Sequence, residues 1–78
     1  MTEDLRSTYI FRTESVLKDL RNFNSGMDAH RVGNLRNVAS GLLELLTQGD
    51  TDPVLVDLLT GLEKKHLEFI KWKFQHSL

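Results

Sequence analysis

The sequence predicts an all-α fold: three helices running up, down and up, the third one long, with a second copy completing the bundle. Three observations carry this. Apolar residues recur at i, i+3, i+4 and i+7 through three separate stretches. Turn chemistry separates the stretches, at Asn22-Phe23-Asn24-Ser25-Gly26 and again from Gly49 to Pro53. Connections this short between helices of about 20 residues make consecutive helices antiparallel. No repeat, low-complexity tract or linker interrupts residues 1–78, so the expectation is one domain.

The first helix is expected over about residues 3–22. Thr2 is an acceptable N-cap, and Glu3 and Asp4 suit the positive end of the helix dipole. Leu5, Tyr9, Val16, Leu20 and Phe23 form its apolar stripe, widened by Ile10 and Leu17. The second helix is expected over about 29–48, with Asp28 as N-cap and Met27 packing on Val32 as a hydrophobic staple. Val32, Leu35, Ala39, Leu42, Leu43 and Leu46 supply the stripe, and Gly49 closes the helix as its C′ residue. Gly33 and Gly41 cost about 1 kcal/mol each relative to alanine. They are either tolerated surface glycines or, around Ala39-Ser40-Gly41, a close helix–helix approach.

The third helix is expected over about 53–76, with Asp52 capping and Pro53 at the first helical position, where its missing N–H costs nothing. Its apolar surface is too wide for one neighbour. Leu55, Leu58, Leu59, Leu62, His66, Phe69 and Ile70 share one face; Val56, Leu67 and Phe74 form a second group, and Val54 and Trp72 lie on the other flank. Ile70 to Phe74 also alternates with the period of a strand, but one such strand has nothing to pair with in this chain, which favours helix.

A chain of 78 residues is short enough for its stability alone to be marginal. The absence of cysteine removes disulfides and thiolate zinc sites and leaves oligomerisation as the available reinforcement. The acidic start, Met1-Thr2-Glu3-Asp4, has no apolar signal region, and no run is long enough to span a membrane. The expectation is a cytoplasmic protein with no membrane partner.

The net charge of −1 conceals an uneven layout. Residues 37–63 hold Glu44, Asp50, Asp52, Asp57 and Glu63 and no base, whereas residues 64–78 hold four lysines against Glu68 alone. Folded antiparallel, the acids collect at the turn between the second and third helices. Lys18, Arg21, His30, Arg31, Arg36, Lys71, Lys73 and His76 collect at the opposite end. Dipole complementarity accounts for Asp50, Asp52 and Lys71 but not for Arg31 and Arg36, which stand at the wrong end of their helix. Arg31, Arg36, Lys71 and Lys73 are therefore the candidate patch for an anion or an acidic partner, nucleic acid included.

Val56, Leu67, Phe69, Trp72 and Phe74 are the candidate interface. His66 lies inside the apolar stripe; an imidazole held neutral in a dry contact makes that contact weaken as pH falls. No serine has a histidine at a spacing that predicts contact, and no glycine-rich phosphate loop is present, so the chain is not expected to be an enzyme.

Glu63-Lys64-Lys65-His66 has the Glu-x-x-His spacing of carboxylate-bundle metal ligands. Asp57-Leu58-Leu59 through Leu62-Glu63-Lys64 is similar to the last helix of the Dps branch of ferritin-like proteins. That resemblance would imply a metal-binding helical protein, but it covers one helix and not those that hold the family's iron. Residue heights also oppose a site: Glu44 stands about 9 Å along the axis from Glu63, and Glu14 points away from its helix's apolar stripe. No cofactor or metal is expected. The reading is a small protein–protein interaction module, an adaptor, inhibitor or regulatory subunit, acting as a homo-oligomer with an unidentified protein partner. A nucleic-acid-associated regulator is the alternative, and a ferritin-like metal protein a distant third.

Overall fold

The computed structural model describes residues 2–23 and 28–76, without the side chains of Asp28 and His76. Helices α1 (Glu3–Leu20), α2 (Asp28–Thr47) and α3 (Val54–His76) form an all-α, up-down-up bundle measuring 43 × 17 × 16 Å. The α1–α2 contact is the broadest and the α1–α3 contact the narrowest. No strand occurs among the described residues, and Ile70 to Phe74 is helical.

The caps predicted at Thr2, Gly49 and Asp52 are present. Thr2 Oγ1 accepts from the Leu5 amide, 3.3 Å away. The end of α2 is a Schellman motif. Gly49 sits at φ +92°, its N–H donates to the Leu46 carbonyl, and the Asp50 N–H reaches back to the Leu45 carbonyl. At the start of α3, Asp52 Oδ1 accepts from the Val54 amide at 3.0 Å, and Asp50 Oδ1 accepts from the Asp52 amide at 2.9 Å. The regular helix begins at Val54, one residue after Pro53.

Other boundaries differ slightly from expectation. Helix α1 ends at Leu20 because the chain tightens there: the Asn22 and Phe23 amides bond to the Asp19 and Leu20 carbonyls three residues back. Helix α2 is described from Asp28 onward, and the capping contact predicted for the Asp28 side chain lies outside the described residues. The Met27 staple and the turn at residues 24–26 lie outside the described residues.

The core consists of Val16 and Leu20 from α1, five aliphatic side chains of α2 (Val32, Leu35, Ala39, Leu42, Leu46), and Leu55, Leu59, Leu62 and Phe69 from α3. Leu5 does not join the α1 stripe and is 47% exposed. Its stripe runs instead through Tyr9, Thr13, Val16, Leu20 and Phe23, with Thr13 fully buried and its hydroxyl donating to the Tyr9 carbonyl at 2.8 Å. Leu58, expected on the core face of α3, is 46% exposed. Gly33 and Gly41 are tolerated glycines, with open space where a Cβ would stand, and the alternative of a close helix–helix approach at Gly41 does not occur. Ala39, fully buried, is the small residue at the helix contact.

Candidate interaction surface

Two polar pairs join α1 to α3. Arg12 forms a two-pronged ion pair with Glu63, Nε to Oε2 at 3.1 Å and Nη2 to Oε1, and lies over the Tyr9 ring. The hydrogen bond to Glu63 raises the guanidinium above its ordinary pKa, followed by the attraction of the same carboxylate and partly opposed by desolvation. Further along, His66 Nε2 stands 2.6 Å from Asp19 Oδ2. This contact makes His66 a partly exposed, hydrogen-bonded strut between α1 and α3, and the dry apolar surroundings that its place on the stripe suggested are absent on the Asp19 side. Both members of the Glu-x-x-His spacing are thereby engaged by α1. No group of three or more His, Asp or Glu side chains able to hold a metal occurs among the described residues.

At the basic end the rings of Phe23 and Phe69 meet edge to face at 5.1 Å, Phe69 stacks on Trp72 at 6.1 Å, and the Arg31 guanidinium lies 4.3 Å over the Trp72 ring. Phe69 is 5% exposed. It belongs to the core and leaves the predicted interface set, because α1 and α2 already cover the face it stands on. Trp72 is half-buried. The candidate basic residues share an end of the bundle but not a side. Arg31 faces α3, Arg36 projects about 140° away around α2, and Lys73 lines an open groove of about 340 Å³ with Asp19, Phe23, Ile70 and Phe74. Lys71 is exposed.

What α3 leaves uncovered falls on two flanks. On the α1 side, Val56 is half-buried, whereas Leu67 is 55% and Phe74 70% exposed. Leu67, Ile70 and Phe74 follow one another at spacings of three and four, so they form one stripe. On the α2 side, Leu58, Gly61, Leu62, Asp57 and Lys65 share a groove with Leu35 and Val38. Val54 lies one turn before Leu58, and Leu45 two turns after Val38. Val38, Leu45, Val54 and Leu58 are each between 39% and 49% exposed. Of these four, only Leu58 had been assigned to the core stripe of its helix; Val54 was set on a flank, and Val38 and Leu45 were left off the α2 stripe without being singled out as a surface. The signal for the last two lay in spacing: Val38 and Leu45 are both offset by three from core positions Leu35 and Leu42, which is the edge of an α2 stripe and not its centre.

The chain matches no family model, no curated protein and no solved structure. No helix among the described residues is long and apolar enough to cross a membrane.

Proposed function

We propose that this chain is a small non-enzymatic protein–protein interaction module that works as a homo-oligomer, in the manner of an adaptor, an inhibitor or a regulatory subunit. The observation that carries the reading is the exposure of α3 on both flanks, Val54 and Leu58 on one and Leu67 and Phe74 on the other. Single exposed hydrophobics are ordinary. Exposed hydrophobics in register along a helix form a stripe, and a stripe is what a second helix packs against. Further support comes from the side chains that could do chemistry. Glu63 and His66 are tied to α1. The small size of the domain adds a reason for association, since burying the stripes supplies apolar contact that one copy lacks.

The alternative, a nucleic-acid-associated regulator, draws on the basic end. Arg31 is already placed on Trp72, and Arg31 and Arg36 leave different sides of α2, which speaks for a protein partner over a polyanion. Sedimentation equilibrium at micromolar concentration tests the proposal. A dimer or larger species is the expected result, and a 9 kDa species at every concentration would remove its main support.

A further inference from the structure

The two flanks of α3 are not equivalent, and the difference lies in their charges. On the α2 side, the apolar surface of Val38, Leu45, Val54 and Leu58 surrounds two glycines. Arg31 of α2 stands against Trp72 of α3. The helices run antiparallel, so Gly41 and Gly61 lie at about the same height, to within one residue. Neither glycine has an atom within 4 Å of an added Cβ, so nothing inside the chain requires them. Asp57 and Lys65 each lie one turn, about 6 Å, from Gly61, in opposite directions along the axis. Neither makes an ion pair with a described residue.

We infer that this α2–α3 face receives a second copy of the same chain, packed antiparallel about a two-fold axis that crosses α3 at Gly61; the inference rests on the homo-oligomer reading and names its surface and register. A two-fold contact pairs each residue with the one reflected through the axis. Reflection at Gly61 sets Asp57 of one copy against Lys65 of the other, and the reverse. On α2, Val38 and Leu45 lie three and four residues either side of Gly41, so Val38 of one copy meets Leu45 of the second. The glycines let the helix backbones approach at the centre, where side chains would hold them apart. The same reflection lays the acidic turn, with Asp52, at the height of Lys71 in the second copy. A parallel pairing would instead place acidic turn beside acidic turn, and like charges in apposition count against a wrong register. The Leu67–Phe74 flank has no such charge symmetry: Glu63, on that side, is held by Arg12.

The test is sedimentation equilibrium of the full chain and variants, with helicity followed by circular dichroism. The wild type should dimerise, Leu58→Asp should be monomeric, and Phe74→Asp should remain dimeric. Val38→Lys serves in place of Leu58→Asp should the latter lose helicity. Asp57→Lys and Lys65→Asp should each weaken the dimer about tenfold or more, and the double reversal should restore it, because two like-charge contacts become two opposite-charge ones. A dimer that survives Leu58→Asp and Val38→Lys but is lost with Phe74→Asp overturns this surface while leaving the homo-oligomer reading in place. Failure of the double reversal to restore what the single reversals lose overturns the antiparallel register. A wild type that is monomeric throughout overturns both readings.

Discussion

At the scale of single residues, the most informative side chains are polar ones on apolar stripes. Thr13 occupies a core position of α1 at 0% exposure, and its hydroxyl is satisfied by the Tyr9 carbonyl one turn back. That carbonyl is also available to the helix's own ladder, so removing the hydroxyl strands no partner. Thr13→Val is expected to stay within about 1 kcal/mol of the wild type in urea denaturation, whereas Thr13→Asp, which buries an unpaired charge, should unfold the chain. The Arg12–Glu63 pair gives a second prediction. Both side chains keep about a third of their surface exposed, so solvent screens the pair even though its two-pronged geometry is favourable. A double-mutant cycle with Arg12→Met and Glu63→Gln should give a coupling of about 0.5–1 kcal/mol that shrinks in 1 M salt. The folded guanidinium is raised above its ordinary value. Its contribution is therefore complete at every pH below that ordinary value and is lost only in strong alkali, so the coupling should be the same at pH 7 and pH 9. A coupling that changed over that window would mean that the pair is not the charged one described.

At the scale of elements, the glycines sort by backbone conformation. Gly49, at φ +92°, holds a conformation that L-residues adopt at a cost, and a Cβ there would sit 3.4 Å from Arg6 Nη1. Arg6 itself donates to the Leu46 carbonyl at 3.4 Å, placing a cation at the negative end of α2. Gly33 is helical with open space around its missing Cβ. Gly33→Ala should therefore raise the melting temperature and Gly49→Ala lower it, each by about 4–8 °C for a change near 1 kcal/mol. Equal shifts in one direction would contradict the assignment of Gly49 as the αL closure of α2. Turn chemistry of this kind is local, which is why Gly49, Asp52 and Thr2 were readable from sequence. Apolar periodicity was readable too, and it placed the C-terminal end of α2 to within about a residue. What periodicity could not supply was the partition of a wide stripe among neighbours. Leu58 and Phe69 were both assigned to the same apolar face of α3, yet Leu58 is exposed and Phe69 buried. The difference is height: Phe69 meets Phe23 at the end of α1, whereas Leu58 points into the open side of the α2–α3 groove. His66 shows the same limit. Its place on the stripe was legible, but the carboxylate opposite it comes from α1, and only the packing of the helices brings Asp19 there.

At the scale of the whole molecule, the separation of charge along the bundle decides which partners are favoured. The acidic turn carries Glu44, Asp50, Asp52 and Asp57, and the other end carries Arg31, Arg36, Lys71 and Lys73. A polyanion approaching the basic end meets a field whose opposite pole lies within the 43 Å length of one bundle. An antiparallel second copy would bring that pole alongside, replacing a bare basic end by acids and bases side by side. Arg31 itself is engaged with the Trp72 ring in a cation–π contact worth about 0.5–1 kcal/mol. The expected result in fluorescence anisotropy is no affinity better than about 10⁻⁴ M for duplex or single-stranded nucleic acid at physiological salt. Arg31→Glu with Arg36→Glu should then leave that baseline unchanged while keeping the helices folded, because both positions lie off the buried Val32, Leu35, Ala39 and Leu46 surface. If phosphates do bind here, the complex must show it in salt: its log–log slope would be about −0.7 to −0.9 for each phosphate neutralised, and the two reversals would abolish it. A micromolar complex with that slope would promote the nucleic-acid reading over self-association, because a basic end neutralised by a second copy has no such charge left to offer.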